Sequence, residues 1–134
     1  MRKIIFLIIC FAVTCQFACG QGLIIHITSP ETNSQVPCRP FAEGTVSDPK
    51  AKVWVIVHPV GTSDYWVQPP VSVREDSTWR VLIYIGDCEN QQHVGLQFEI
   101  VAVANPKEKL YERLVLTEWP EAVAISQIIE VIRK

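Results

Sequence analysis

The sequence predicts an all-β chain folded as a two-sheet antiparallel sandwich of about seven strands. Three observations predict it. Nine Pro and six Gly punctuate 134 residues at short intervals. The runs between them are rich in Val, Ile, Trp, Tyr and Phe, residues that suit a pleated, half-buried surface. Several of these runs alternate apolar and polar residues, the period of a strand with one face in the core.

The chain begins differently. Arg2 and Lys3 form a short positive segment, and Ile4 to Val13 is an unbroken apolar run. Ala18 and Gly20 supply small side chains just before a cut ahead of Gln21. This is the layout of a signal peptide over residues 1–20, leaving one domain at 21–134. A lipoprotein leader is the alternative, with lipid on Cys19 between Ala18 and Gly20, although Gln16 and Phe17 fit that motif poorly. Membrane attachment is expected only if Cys19 is lipidated.

Leu23 to Ile27 is the first strand, ended by Thr28-Ser29-Pro30, and Glu31 to Gln35 is turn-like. Val36 to Val46 holds a second strand whose early part Pro37 and Pro40 confine to an edge or loop. Lys52 to His58 is apolar on both parities, as in a central strand packed on two sides. Tyr65 to Val73 alternates, with Tyr65, Val67, Val71 and Val73 on one face. Thr78 to Ile85 alternates more cleanly, burying Trp79, Val81, Ile83 and Ile85. Leu96 to Ala104 buries Leu96, Phe98, Ile100, Ala102 and Ala104. Ser126 to Arg133 is the seventh strand. Lys107 to Ile125 breaks the rhythm and reads as a long connection from one sheet to the other, with a short helical turn near 117–124 capped by Thr117.

Apolar residues make up 49% of the chain and charged residues 19%, a globular composition. Twelve basic residues stand against fourteen acidic ones, and no Lys/Arg cluster follows the first three residues, so no nucleic-acid partner is expected. Of five cysteines, three lie in the leader. Cys38 and Cys88 remain, an even pair in a chain read as exported to the periplasm, cell surface or medium, and a disulfide is expected between them. Cys38, Trp54 and Cys88 mimic the Cys…Trp…Cys order of immunoglobulin domains. Gly86, however, stands where those domains carry a Tyr, Cys38 sits in a Pro-flanked segment and Cys88 just past a strand end. The sandwich is therefore expected to be immunoglobulin-like in architecture only, its bridge tying loops or strand ends.

The segments Gly44-Thr45-Val46, Val53 to Pro59, Tyr65-Trp66-Val67-Gln68-Pro69, Trp79, Tyr84-Ile85-Gly86, Phe98-Glu99-Ile100, Ala102 to Pro106 and Trp119-Pro120-Glu121-Ala122 carry a resemblance. Together they resemble small bacterial sandwich domains of unassigned role. The resemblance spans most of the domain. It implies the fold and brings no activity.

No catalytic residues are identified: the chain has no G-x-S-x-G, no phosphate-cradling Gly-rich loop and no H-E-x-x-H. Neither a cofactor nor a metal is expected. Cys88 and His93 with Asp87 or Glu89 have no common zinc spacing. Asp64, Asp87 and Glu89 can meet at one end of a sandwich, but without a calcium-loop motif. The aromatic residues offer more. If 65–73 and 78–85 form a hairpin, Trp66, Gln68, Arg80 and Tyr84 share its outer face. Aromatic rings beside an amide and a guanidinium suit sugar rings or an extended peptide. The expectation is an exported, non-enzymatic binding module for a protein, envelope component or glycan. The alternative is a structural or assembly domain that acts through an open sheet edge.

Overall fold

The computed structural model describes residues 22–134. The expected leader 1–20, with Cys19, lies outside the described residues. The strands are β1 (Ile25–Ser29), β2 (Ser34–Val36), β3 (Phe41–Val46), β4 (Val53–Pro59), β5 (Tyr65–Val67), β6 (Ser72–Val73), β7 (Thr78–Leu82), β8 (Gln97–Pro106), β9 (Val115–Leu116), β10 (Ala122–Ile125) and β11 (Ile129–Arg133). One sheet has the order β1-β3-β7-β6 and the other β2-β11-β8-β4-β5-β9. The all-β two-sheet sandwich is thus what the chain forms.

β8 organises the second sheet. It pairs with β4 from Val53↔Ala104 to Pro59↔Phe98. Its other flank is shared: β11 lies against residues 97–100 and β10 against 103–106. Ser126 joins the two halves, accepting the Ala102 N–H at 2.9 Å through its hydroxyl and donating its own N–H to the Ala102 carbonyl at 2.8 Å.

The core lies between the sheets. Trp79, Val81, Ile83 and Ile85 pack against Val53, Val55, Val57, Phe98, Ile100 and Ala102. Burying each large side chain contributes about 1.5–3 kcal/mol. Trp79 is 1% exposed, and its cross-strand partner is Gly44. A Cβ at Gly44 would overlap the Trp79 ring and the His26 carbonyl, so the indole needs a glycine beside it.

A second apolar cluster explains why β4 is apolar on both parities. Ile56, Val67, Val101, Val103 and Leu110 are buried on the outer face of the second sheet, covered by Leu114, Leu116 and Trp119. The long connection is therefore a lid over that face. It contains the short strand β9, and 122–125 is strand rather than the helical turn expected near 117–124. The helical segment among the described residues is instead a 3-10 turn at Gln91–His93. Pro120 does not start a helix here, because the chain after it completes the β8 ladder and buries Ala124.

Three further features depart from the expected pattern. The segment 65–73 is not one strand: β5 belongs to the second sheet and β6 to the first. Pro69 and Pro70, which cannot donate to a ladder, mark the crossing. The hairpin of 65–73 with 78–85 therefore reduces to Ser72↔Arg80 and Val73↔Trp79. Finally, Ser34–Val36 is not a turn but a strand, pairing parallel to β11 in an otherwise antiparallel fold.

Candidate functional site

Where β5 leaves the second sheet, the first sheet no longer covers its inner face, and the sandwich opens into a cleft of about 880 Å³. Gln68 is the hinge of this opening. Its N–H donates to the Val55 carbonyl at 2.9 Å, extending the β4–β5 ladder by one residue. Its side chain turns inward and is buried, at 4% exposure. Oε1 accepts the Tyr84 N–H at 2.7 Å, and Nε2 donates to the Trp66 carbonyl at 3.2 Å.

Tyr84 follows β7. The N–H groups of Ile83 and Ile85 donate to the carbonyls of Pro40 and Cys38, at 3.0 and 2.8 Å. In strand geometry the intervening Tyr84 N–H points the other way, where β6 has already ended. The Gln68 amide takes the place of the absent strand. The Tyr84 ring remains exposed, with the Arg39 guanidinium 3.9 Å from its centroid.

The rim of the cleft is the loop 86–95, fastened at three points. Cys38 and Cys88 form a disulfide, their Cα atoms 5.2 Å apart. The bridge ties segments outside the strands, Cys38 before β3 and Cys88 after β7, although the Ile85 N–H to Cys38 carbonyl bond carries the β3–β7 pairing past its formal end. Arg133, buried, donates from Nη1 to the carbonyls of Ile85 and Asp87 at 3.0 and 3.2 Å. His93 accepts the Asp87 N–H on Nδ1 at 2.8 Å. Gly86 sits at φ 75°, where a Cβ would strike the His93 ring.

Trp66, Gln68 and Tyr84 thus meet at one cleft with Val57, Leu96 and Phe98. Two of the sequence expectations are corrected. Gln68 is not on an exposed face: it keeps the β5 register opposite Val55, so its side chain lies on the inner side of the second sheet, where it is buried. Arg80 is not part of this surface. It lies on the outer face of the first sheet, its Nε 3.0 Å from Glu43 Oε1 and its guanidinium 3.4 Å from the Phe41 ring centroid. Trp66 is 41% exposed, in contrast to Trp79.

Asp64, Asp87, Glu89 and Glu112 line the same cleft, with Arg113. Among the described residues no group of three or more His, Cys, Asp or Glu side chains is placed to hold a metal ion. The Cys88 sulfur is committed to the bridge, and His93 Nδ1 to a main-chain N–H.

A polar cluster centred on the buried His58 lies on the outer face of the second sheet. His58 Nδ1 lies 2.8 Å from Glu99 Oε1, and Nε2 lies 2.7 Å from the Thr62 carbonyl. The ring stacks on Tyr65 at 3.9 Å and meets the edge of Trp119 at 5.7 Å. The Thr62 carbonyl can only accept, so Nε2–H donates to it, and Nδ1 faces the Glu99 carboxyl. The cluster pins the β4–β5 turn, and neither nitrogen is left for a substrate. Only the cross-strand register His58↔Glu99 reveals the pair, and no local motif encodes it.

No family model matches the chain, and no curated protein or solved structure matches it. The resemblance to small bacterial sandwich domains is therefore carried by no family match, and the fold class stands on the two sheets themselves.

Proposed function

We propose that this chain is an exported, non-enzymatic binding domain whose open-ended cleft takes an extracytoplasmic partner. One observation carries the reading: the crossing at Pro69-Pro70 leaves Trp66 and Tyr84 exposed on either side of the buried Gln68 amide, over an apolar floor. A cleft of this size, with apolar residues in its floor and polar side chains at its rim, suits ligand capture. The Cys38–Cys88 bridge fits an oxidising compartment, in line with the leader read from residues 1–20. Among the described residues no helix is long and apolar enough to cross a membrane. The strand order β1-β3-β7-β6 facing β11-β8-β4-β5 supports an immunoglobulin-type arrangement, A-B-E-D against G-F-C-C′.

The test is a screen of peptide and oligosaccharide arrays with the wild-type domain and with Trp66→Ala/Tyr84→Ala. Ligands retained by the wild type and lost by the folded variant support the reading. Ligands retained equally by both overturn it.

A second reading has its own observation. β10 pairs with β8 alone, contains neither proline nor charge, and exposes Val123 (62%) and Ile125 (51%). Such an edge is a template for another strand. By contrast, the edge of β1 is closed, because the Gln127 side chain accepts the Ile27 N–H at 3.2 Å and donates to its carbonyl at 2.8 Å. In this reading the domain is an assembly module that acts through β10.

A further inference from the structure

We infer that the cleft recognises a basic peptide segment, a partner polypeptide that places a Lys or Arg side chain beside Trp66. The inference rests on the cleft being the binding site and adds the chemistry of its ligand.

The first observation is the sign of the charge around an apolar floor. Asp64, Asp87, Glu89 and Glu112 line the cleft, and they are four of the fourteen acidic residues of the chain. Arg113 joins them, its Nε 4.0 Å from Glu112 Oε2, and Arg39 lies over the ring of Tyr84 at the same opening. The four carboxylates come from three separate segments, the turn after β4, the disulfide loop and the lid. The topology therefore gathers them around one opening, and no local run of acidic residues accounts for it. All four are exposed, so they set a negative potential over the mouth at little desolvation cost. An anionic ligand would meet four carboxylates against the two guanidinium groups of Arg113 and Arg39.

The second observation is independent of the carboxylates. Two exposed aromatic rings of this protein already carry a guanidinium on their faces: Arg39 on Tyr84 at 3.9 Å, and Arg80 on Phe41 at 3.4 Å. Among the described residues no cation or ring stacks on Trp66, although indole is the ring that attracts a cation most strongly. Trp66 borders the acidic mouth. Its exposed indole offers a cation–π face at the place where the field favours a cation.

The third observation is size. About 880 Å³ is near the upper end of the range for small-ligand sites, much more than one ammonium group fills. Leu96, exposed rather than buried as its parity implied, offers apolar surface to the stem of a Lys or Arg, with the buried Val57 and Phe98 in the floor. A peptide segment supplies all of these parts together.

The test uses the domain 21–134 with its disulfide intact, labelled with ¹⁵N and titrated with three probes: the blocked peptide Ala-Lys-Ala-Arg-Ala-Lys-Ala, its counterpart with Glu at the three charged positions, and the neutral N-acetylglucosamine tetramer. The expected result is that the basic peptide shifts the Trp66 indole and Tyr84 amide resonances. The acidic peptide should shift neither. Raising the salt from 20 to 300 mM, or replacing Asp64→Asn with Glu112→Gln, should weaken the basic peptide at least fivefold. If the neutral tetramer shifts these resonances and the basic peptide does not, the charge inference is overturned and the cleft reading survives. If none of the three shifts them, the inference falls and the cleft loses its support as a site.

Discussion

The Gln68 side chain accepts the main-chain N–H of Tyr84 at 2.7 Å, one buried amide linking the strand that leaves one sheet to the strand end of the other. The contact does the work of a missing ladder bond. Replacing Gln68→Met keeps the bulk and strands the Tyr84 N–H. The expected loss is about 1–3 kcal/mol, the cost of an unsatisfied buried donor, read from urea midpoints. Faster amide exchange should follow at Tyr84 and not at Gly44.

Trp79 and Trp66 should separate in stability. Trp79→Ala empties a space between the sheets and should cost about 3–5 kcal/mol. Trp66→Ala should change stability by less than about 1 kcal/mol, since the residue is 41% exposed. Gly44→Ala should behave like the core variant, because its Cβ meets the same indole. Thermal melts of the three variants check the ordering.

The Cys38–Cys88 bridge spans 50 residues of sequence. Closing a loop of that length restricts the unfolded chain by about 4 kcal/mol in the entropy model. The double variant Cys38→Ala/Cys88→Ala should lose stability on that scale. The wild type should show no titratable thiol at these positions without reductant. Exchange should rise most in the loop 86–95, which the bridge fastens.

Asp76 carries the pH signature of the β6–β7 turn. The Thr78 hydroxyl donates to its Oδ1 at 2.6 Å and the Thr78 N–H at 3.1 Å, and these bonds hold its carboxyl below the ordinary Asp range. The folded value is depressed. Its contribution to stability is therefore present above the unfolded value and is lost as pH falls through the folded one, in the acid range below about pH 4. A carbon-detected titration should give Asp76 a midpoint below that of a model peptide, and Thr78→Val should raise it.

Much of the fold was legible because strands announce themselves by alternation. Trp79, Val81, Ile83 and Ile85 are core for the reason their parity implied, and β4 is apolar on both parities because two clusters sandwich it. Trp66 and Tyr84 were legible as exposed aromatics. Gln68 was not, because the face it shares with Trp66 is the inner one, opposite Val57 and Val55, while Tyr65 and Val67, read as core-facing, lie under the lid on the outer face. Arg80 kept its outward parity but on the other sheet, where Glu43 is its cross-strand partner. The acidic rim was half-legible: Asp64, Asp87 and Glu89 can be gathered at a sandwich end, while Glu112 comes from the lid that was read as a crossover. The lid itself follows from apolar residues on the outer face of the second sheet, which composition alone cannot assign to a face.

The central claim is that this protein meets its partner at the cleft and not along β10. Site-specific photo-crosslinking measures this most directly, with a benzoylphenylalanine placed at Tyr84 or at Val123 in protein expressed in its native host. The account predicts a discrete adduct from position 84, abolished by Trp66→Ala, and none from 123. An adduct from position 123 with none from 84 would contradict it and give the assembly edge the function instead.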